Sequence, residues 1–143
     1  MKYLFLIPFF IIFISSLNHE AMGEVEFIRD VKPILEHNCV SCHREDNAKG
    51  KVRLDTKKSA FAGEDVIIPG NPEDSSLYWT TTLPSDDELV MPPFKHEDKD
   101  YPLRDEEKDI LKDWIKSGAD WPETVVLESK KRLPKEVIFV EHI

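Results

Sequence analysis

Five consecutive residues, Cys39-Val40-Ser41-Cys42-His43, constrain this chain more than any other stretch. They hold both cysteines of a 143-residue protein, with a histidine directly after the second. Whatever the thiols do, they do as a pair three positions apart. Such a pair serves a zinc site, a redox disulfide or a haem attachment site.

A structural zinc site needs four ligands. Cys42 and His43 are adjacent and can hardly both reach one tetrahedral ion. No second ligand pair follows at finger spacing, so His37, His96, His142 or a carboxylate would have to complete the set. A thioredoxin-like pair sits where a strand leads into a helix within a βαβ pattern, and no such alternation runs along this sequence. Haem attachment accounts for all three residues together. Positions i and i+3 of a helical turn project from one side, so the thiols of Cys39 and Cys42 can add across the two vinyl groups of one haem. His43 then falls beneath the ring as the proximal iron ligand. Thiols converted to thioethers also survive in an oxidising compartment, where a bare pair would close on itself.

The N-terminus points to such a compartment. Residues 3–17, YLFLIPFFIIFISSL, are almost wholly apolar behind Lys2. That length is short for a bilayer helix and typical of a signal-peptide core. Ala21 and Gly23 supply small residues at −3 and −1 of a cut after Gly23. The expected organisation is a signal peptide over 1–23, one domain over 24–122, and a C-terminal tail over 123–143. Export to the periplasm or beyond follows, or membrane anchoring where the segment is retained. The net charge of −9 is unchanged by cleavage, because Lys2 and Glu20 leave together. Phosphates repel such a chain, which excludes nucleic acid as a partner and any membrane contact beyond the leader.

Phe27, Val31, Ile34 and Leu35 share one face at helical spacing, and Pro33 must kink that helix or begin a second one. VRLD (52–55) reads as a short strand, and Asp55 or Thr56 as the cap of a helix through Phe61, stopped by Gly63. Asp74 or Ser75 would cap a helix in SLYWTTTL, which its threonines weaken. Residues 83–102 are rich in proline and carboxylates and read as loop. The best helix lies within 103–122, with an apolar stripe of Leu103, Ile110, Leu111, Trp114 and Ile115. Asp105, Glu106 and Glu107 complement its dipole, and Gly118 suits its C′ position. In the tail, TVVLE and EVIFVEHI look like strands, forming a hairpin or an edge for a partner.

A low-spin haem takes a second axial ligand, often methionine. Once the leader is cut, Met91 is the only methionine left. It stands in LVMPPF, where Pro92 biases it to an extended backbone and Pro92 and Pro93 stiffen the loop. His96 is the alternative ligand, and an ordinary loop or core methionine is the plain reading of Met91. His37 and His142 are expected to face solvent.

The blocks FIRDVKPILEHNCVSCH, GKVRLDT, IIPGNPEDSSLYWT, MPP and LRDEEKDILKDWIKSGADWP occur in an order and spacing that resemble the small cytochrome c-like domains first described in planctomycetes. The resemblance covers about residues 26–122. It implies a mainly α, small cytochrome c-like fold wrapped around one covalently bound haem c, here with a short β-like C-terminal tail. By that likeness Cys39 and Cys42 attach haem, His43 is the proximal ligand and Met91 the distal one. Arg104 stands where the family often has Ser or Thr, which predicts a weaker N-cap for the last helix.

Candidates for the apolar wrap are Phe27, Ile34, Leu35, Leu54, Ile67, Leu77, Leu89, Phe94, Ile110 and Trp114. Each is explained equally well as plain core. Arg53, Tyr78 and Trp79 are candidate propionate donors, or simply surface residues. Asp86, Asp87, Glu88, Glu97, Asp98 and Asp100 flank Met91 and would attract a redox partner with a basic docking face. The expected function is a monohaem c-type cytochrome carrying single electrons, not an enzyme. The alternatives are a haem-binding sensory or interaction module, and an accessory subunit delivering electrons to a larger enzyme.

Overall fold

Pro33 decides how the chain begins to fold. A computed structural model describes residues 24–93 and 102–131. Phe27–Val31 form a wide π-helical turn, closed by the Lys32 N–H on the Phe27 carbonyl. The helix α1, Lys32–Asn38, comes next, with Pro33 in its first turn. Proline brings no N–H, so the wider turn and a fresh start cost less than a broken ladder. Glu26 caps the opening turn by accepting from the N–H groups of Ile28 (3.2 Å) and Arg29 (2.8 Å). Phe27, Val31, Ile34 and Leu35 are buried, as their spacing requires.

Beyond Asn38 the chain makes tight turns. Strand β1, His43–Arg44, pairs antiparallel with β2, Asn47–Ala48, with His43 opposite Ala48. VRLD forms no strand among the described residues: it runs extended, with the Leu54 N–H on the His43 carbonyl at 2.7 Å. Thr56 caps α2, Lys57–Ala60, through its hydroxyl on the Ser59 N–H at 3.2 Å. Ser75 takes the N-cap position of α3, Ser76–Trp79, but its buried hydroxyl turns backwards. It donates to the Asn71 carbonyl at 2.8 Å and accepts the Ile68 N–H at 2.9 Å, closing the IIPGNP turn. The threonines then tighten the helix into a 3-10 turn, Thr80–Thr82. Their hydroxyls bond back to the carbonyls of Ser76, Tyr78 and Trp79 at 2.6–2.8 Å, in competition with the helical ladder.

The long helix is α4, Asp105–Lys116. Leu103 is buried just ahead of it rather than on its stripe. The Arg104 side chain has nothing to accept a first-turn N–H with. Glu107 instead reaches back, accepting the Arg104 N–H at 2.8 Å and pairing with its guanidinium at 3.2 Å. This is half of a capping box. Gly118 ends the helix at φ +113, a conformation that favours glycine.

Trp114 and Trp121 are almost wholly buried with Phe27 between them, at centroid distances of 5.6 and 4.4 Å. Their indole N–H groups donate to the carbonyls of Asp120 (2.8 Å) and Val125 (3.3 Å). Residues 123–131 pack on the same body. Val126 bridges Thr56, and Leu127 is buried in the core. EVIFVEHI lies outside the described residues.

The mainly helical expectation therefore holds only in part. The described chain is a small, mixed helical body with a little sheet. Only α4 exceeds two turns, because Pro33, Pro69, Pro72 and Pro84 and the capping hydroxyls cut the other helices short. No helix among the described residues is long and apolar enough to cross a membrane.

Glu36 and Asp55 are buried carboxylates held below their ordinary pKa values. Burial pushes each up, but hydrogen bonds prevail: from Lys130, Lys32 and the Glu128 N–H on Glu36, and from Arg53 and the Asp55 and Glu45 N–H groups on Asp55. A depressed carboxylate contributes stability that is present above its unfolded pKa and lost as pH falls through its folded one. The melting temperature, followed by circular dichroism, is expected to stay level near neutral pH. It should fall as pH drops below 4.5 and then 3.8, the ordinary values of the two groups. A level curve through that range would contradict the assignment.

Candidate functional site

The loop that carries the thiols is held at both ends. The N–H groups of Cys39 and Val40 share the Leu35 carbonyl at the end of α1, at 2.9 and 3.0 Å. The Cys42 and His43 N–H groups both turn back onto the Cys39 carbonyl at 3.1 Å. Val40, fully buried, pegs the loop to the core. Beyond it the Lys49 N–H bonds the Cys42 carbonyl at 3.0 Å.

Opposite lies the segment that ends in Met91-Pro92-Pro93. The Met91 N–H donates to the Thr80 carbonyl at 3.0 Å, so the threonine turn fixes where Met91 stands. Buried Val90 anchors it from within. Asp87 turns its carboxylate onto the Leu89 N–H at 2.8 Å.

Between these two walls is a cavity of about 290 Å³, partly open to solvent. That is near the lower end of the roughly 300–1,000 Å³ of small-molecule and cofactor sites. Cys39, Cys42, His43 and Met91 all line it. Neither cysteine is in a disulfide. The rest of the wall is overwhelmingly apolar: Val52, Leu54, Val66, Leu77, Leu89 and Leu103. Among the described residues no cluster of three or more His, Cys, Asp or Glu side chains forms that could hold a bare metal ion.

The His43 imidazole has a set orientation. Its Nδ1 lies 3.3 Å from the Val52 carbonyl oxygen. A carbonyl only accepts, so this contact places the proton on Nδ1 and the lone pair on Nε2. A carbonyl partner of this kind orients an imidazole for metal ligation and raises its basicity. The donor set thus fits a haem: two thiols for thioether attachment, Nε2 of His43 and the thioether sulfur of Met91, on one apolar cavity.

The expected wrap divides in two. Leu54, Leu77 and Leu89 are on the cavity wall. Phe27, Ile34, Leu35, Ile67 and Trp114 form the core behind it, with Ile110 half-buried. Phe94, His96, Glu97, Asp98, Asp100 and His142 lie outside the described residues. Of the propionate candidates only Trp79 lines the cavity. Arg53 is turned onto Asp55, with Nη2 at 3.0 Å, and the Tyr78 ring lies under Lys112 Nζ at 5.7 Å. His37 does not simply face solvent: its Nδ1 donates to the Lys131 carbonyl at 2.6 Å.

Among the lining residues that sequence reasoning missed are Val52, Val66, Leu103 and Lys49. Lys49 is the one Lys, Arg, Asp or Glu side chain on the described wall. No local pattern marks Val52 or Val66, because Val52 comes from an extended segment and Val66 from a turn, neither with any periodicity. Gly63 offered a usable hint. A Cβ there would stand 2.5 Å from Val66 Cγ2, so glycine lets Val66 sit where it does.

These features describe a small body with one apolar cavity whose donor set fits a haem. Residues 39–94 match the family model described as planctomycete cytochrome C, the family whose motifs the sequence resembles. The matched segment carries Cys39, Cys42, His43 and Met91, so this part of the chain is similar to that family. Comparisons with curated proteins and with solved structures return no match.

Gly63→Ala would force Val66 toward the cavity. A loss of about 1–3 kcal/mol in unfolding free energy is expected, as for other overpacked sites. Urea denaturation measures it, and an unchanged midpoint would show that Val66 has room to give.

Proposed function

We propose that this protein is an exported monohaem cytochrome c that passes single electrons, with its iron held between His43 and Met91. The observation that carries the reading is the meeting of Cys39, Cys42, His43 and Met91 on one apolar cavity, from segments 48 residues apart between the histidine and the methionine. Haem bound there supplies a one-electron iron couple.

The chain's own part is to attach, orient and exclude water. The thiols of Cys39 and Cys42 would hold the haem as thioethers, by S–H addition across its two vinyl groups with no oxidant consumed. The Val52 carbonyl holds the His43 tautomer that presents Nε2. The thioether of Met91 and an apolar wall both favour a raised reduction potential. His43 and Met91 would supply two protein ligands to the iron, a set that suits electron transfer rather than catalysis at the metal.

Exposed Leu89 sits on the cavity rim next to Asp86 and Glu88, also exposed. An apolar contact ringed by carboxylates suits a redox partner with a basic face. The apolar leader over residues 1–23 supports export, which also supplies the compartment where c-type attachment occurs.

Produced alongside a cytochrome c maturation system, the chain should retain haem on a denaturing gel. Cys39→Ala with Cys42→Ala should abolish that retention. Met91→Ala should keep the haem but lose the far-red absorption band that reports iron–thioether bonding in the ferric state. Colourless protein with both thiols intact would refute the reading. The bimolecular electron-transfer rate with a basic partner should fall as salt is raised from about 0.01 to 0.15 M. A salt-independent rate would remove the docking face.

A further inference from the structure

The cavity needs its two walls in register; both are held by local bonds, and the cysteine-bearing one has a further brace. Met91 is tied to the adjacent threonine turn. The wall with Cys39, Cys42 and His43 hangs from the C-terminal end of α1, a helix of seven residues. The brace for that end comes from the far end of the domain.

Residues 123–131 run as a strap across both flanks of the haem-attachment loop. Downstream of it, Glu123 pairs with Lys57 at 2.6 Å and the Leu127 N–H donates to the Asp55 carbonyl at 2.8 Å. Upstream of it, the strap closes on Glu36. The Glu128 N–H donates to Glu36 Oε1 at 3.2 Å, and Lys130 Nζ stands 2.5 Å from Oε2. The Lys130 N–H also takes the Glu36 main-chain carbonyl at 2.9 Å, one of the carbonyls a helix end leaves without an intrahelical donor. Lys32, on the same helix, pairs with Oε1 at 2.5 Å. Glu36 is 2 % exposed, so this carboxylate depends on its partners.

We infer that Glu36 is a positioning residue for the haem site: gripped by Lys32 and by Lys130 and the backbone of the C-terminal strap, it holds the wall bearing Cys39, Cys42 and His43 in register with the wall bearing Met91. The inference rests on the ligation proposed above. Glu36 sits one helical turn ahead of Cys39 and touches no cofactor. It acts through the turn of α1 whose Leu35 carbonyl bears the first two N–H groups of the loop. With the strap released, the wall bearing Cys39, Cys42 and His43 would shift on a frayed helix end, and the hold of Met91 on a bound haem would loosen.

The test is a titration of the haem-loaded ferric full chain with imidazole, which displaces a loosely held methionine and abolishes the far-red band. Lys130→Met removes the strap's charge from a half-exposed side chain and leaves Lys32 in place. It should bind imidazole about tenfold more tightly than the unaltered protein, since a buried carboxylate has lost one of two cations. Lys130→Arg should restore the original affinity. Glu36→Gln should reproduce the shift, and Lys130→Met should add nothing to it in that background. Glu73→Gln breaks the ion pair with Lys112, which holds α4 to the 71–75 turn, and should leave imidazole affinity unchanged. A native-state ligand exchange of this kind does not respond to global stability alone.

An unshifted affinity in Lys130→Met overturns the inference. So do additive effects in the double variant, or an equal shift in Glu73→Gln. Absence of covalent haem or of the far-red band in the unaltered chain overturns the proposed ligation itself, and is seen before any variant is made.

Discussion

The joint between Phe27, Trp114 and Trp121 governs the rest of the molecule. It fuses the first described turn to the last helix and to the chain beyond it, so the ends of the domain close on each other. Burying three large aromatic side chains is worth several kcal/mol in total, at about 25 cal/mol per Å² of apolar surface. With that side rigid, α1 can point the 39–43 loop at the cavity, and α4 shares one core with Leu77 and Leu103. Short helices on proline-rich connections would not frame a pocket by themselves, because isolated single turns are marginal in water.

Around that joint the loops are held by polar groups used at close range. Ser75 closes one turn, Asp55 another, and the Thr80 carbonyl takes Met91. Asp55 collects Arg53, the Glu45 N–H and Ser59, and its own carbonyl receives Leu127. Glu36 does the same for α1 and the strap. Both carboxylates are buried and charged, which is costly unless their partners stay in place. Such anchors specify one arrangement of irregular backbone where no extended sheet is present among the described residues to do so.

Much of this was legible in the sequence. The buried face of Phe27, Val31, Ile34 and Leu35 follows from spacing, as does the stripe of α4. Gly118 behaves as a helix terminator, and Thr56 as a cap. The elements that departed did so for local reasons. The threonines after Trp79 preferred their own carbonyls and made a tighter turn. VRLD found no neighbour to pair with along its length, and its N–H and C=O groups went to His43 and Leu127 instead. Ser75 occupied the expected cap position with its hydroxyl facing the opposite way.

The sequence by itself determined which reactive groups the 39–43 loop carries. Cys39, Cys42 and His43 are so close together that one turn of backbone dictates their mutual placement, and no distant contact is needed. Tertiary structure alone decided that Met91 faces the same cavity, that Val52 orients the imidazole, and that Lys130 reaches Glu36. Each of those contacts joins residues far apart or in aperiodic segments. Their energy comes from three-dimensional proximity, which leaves no repeating mark along the chain.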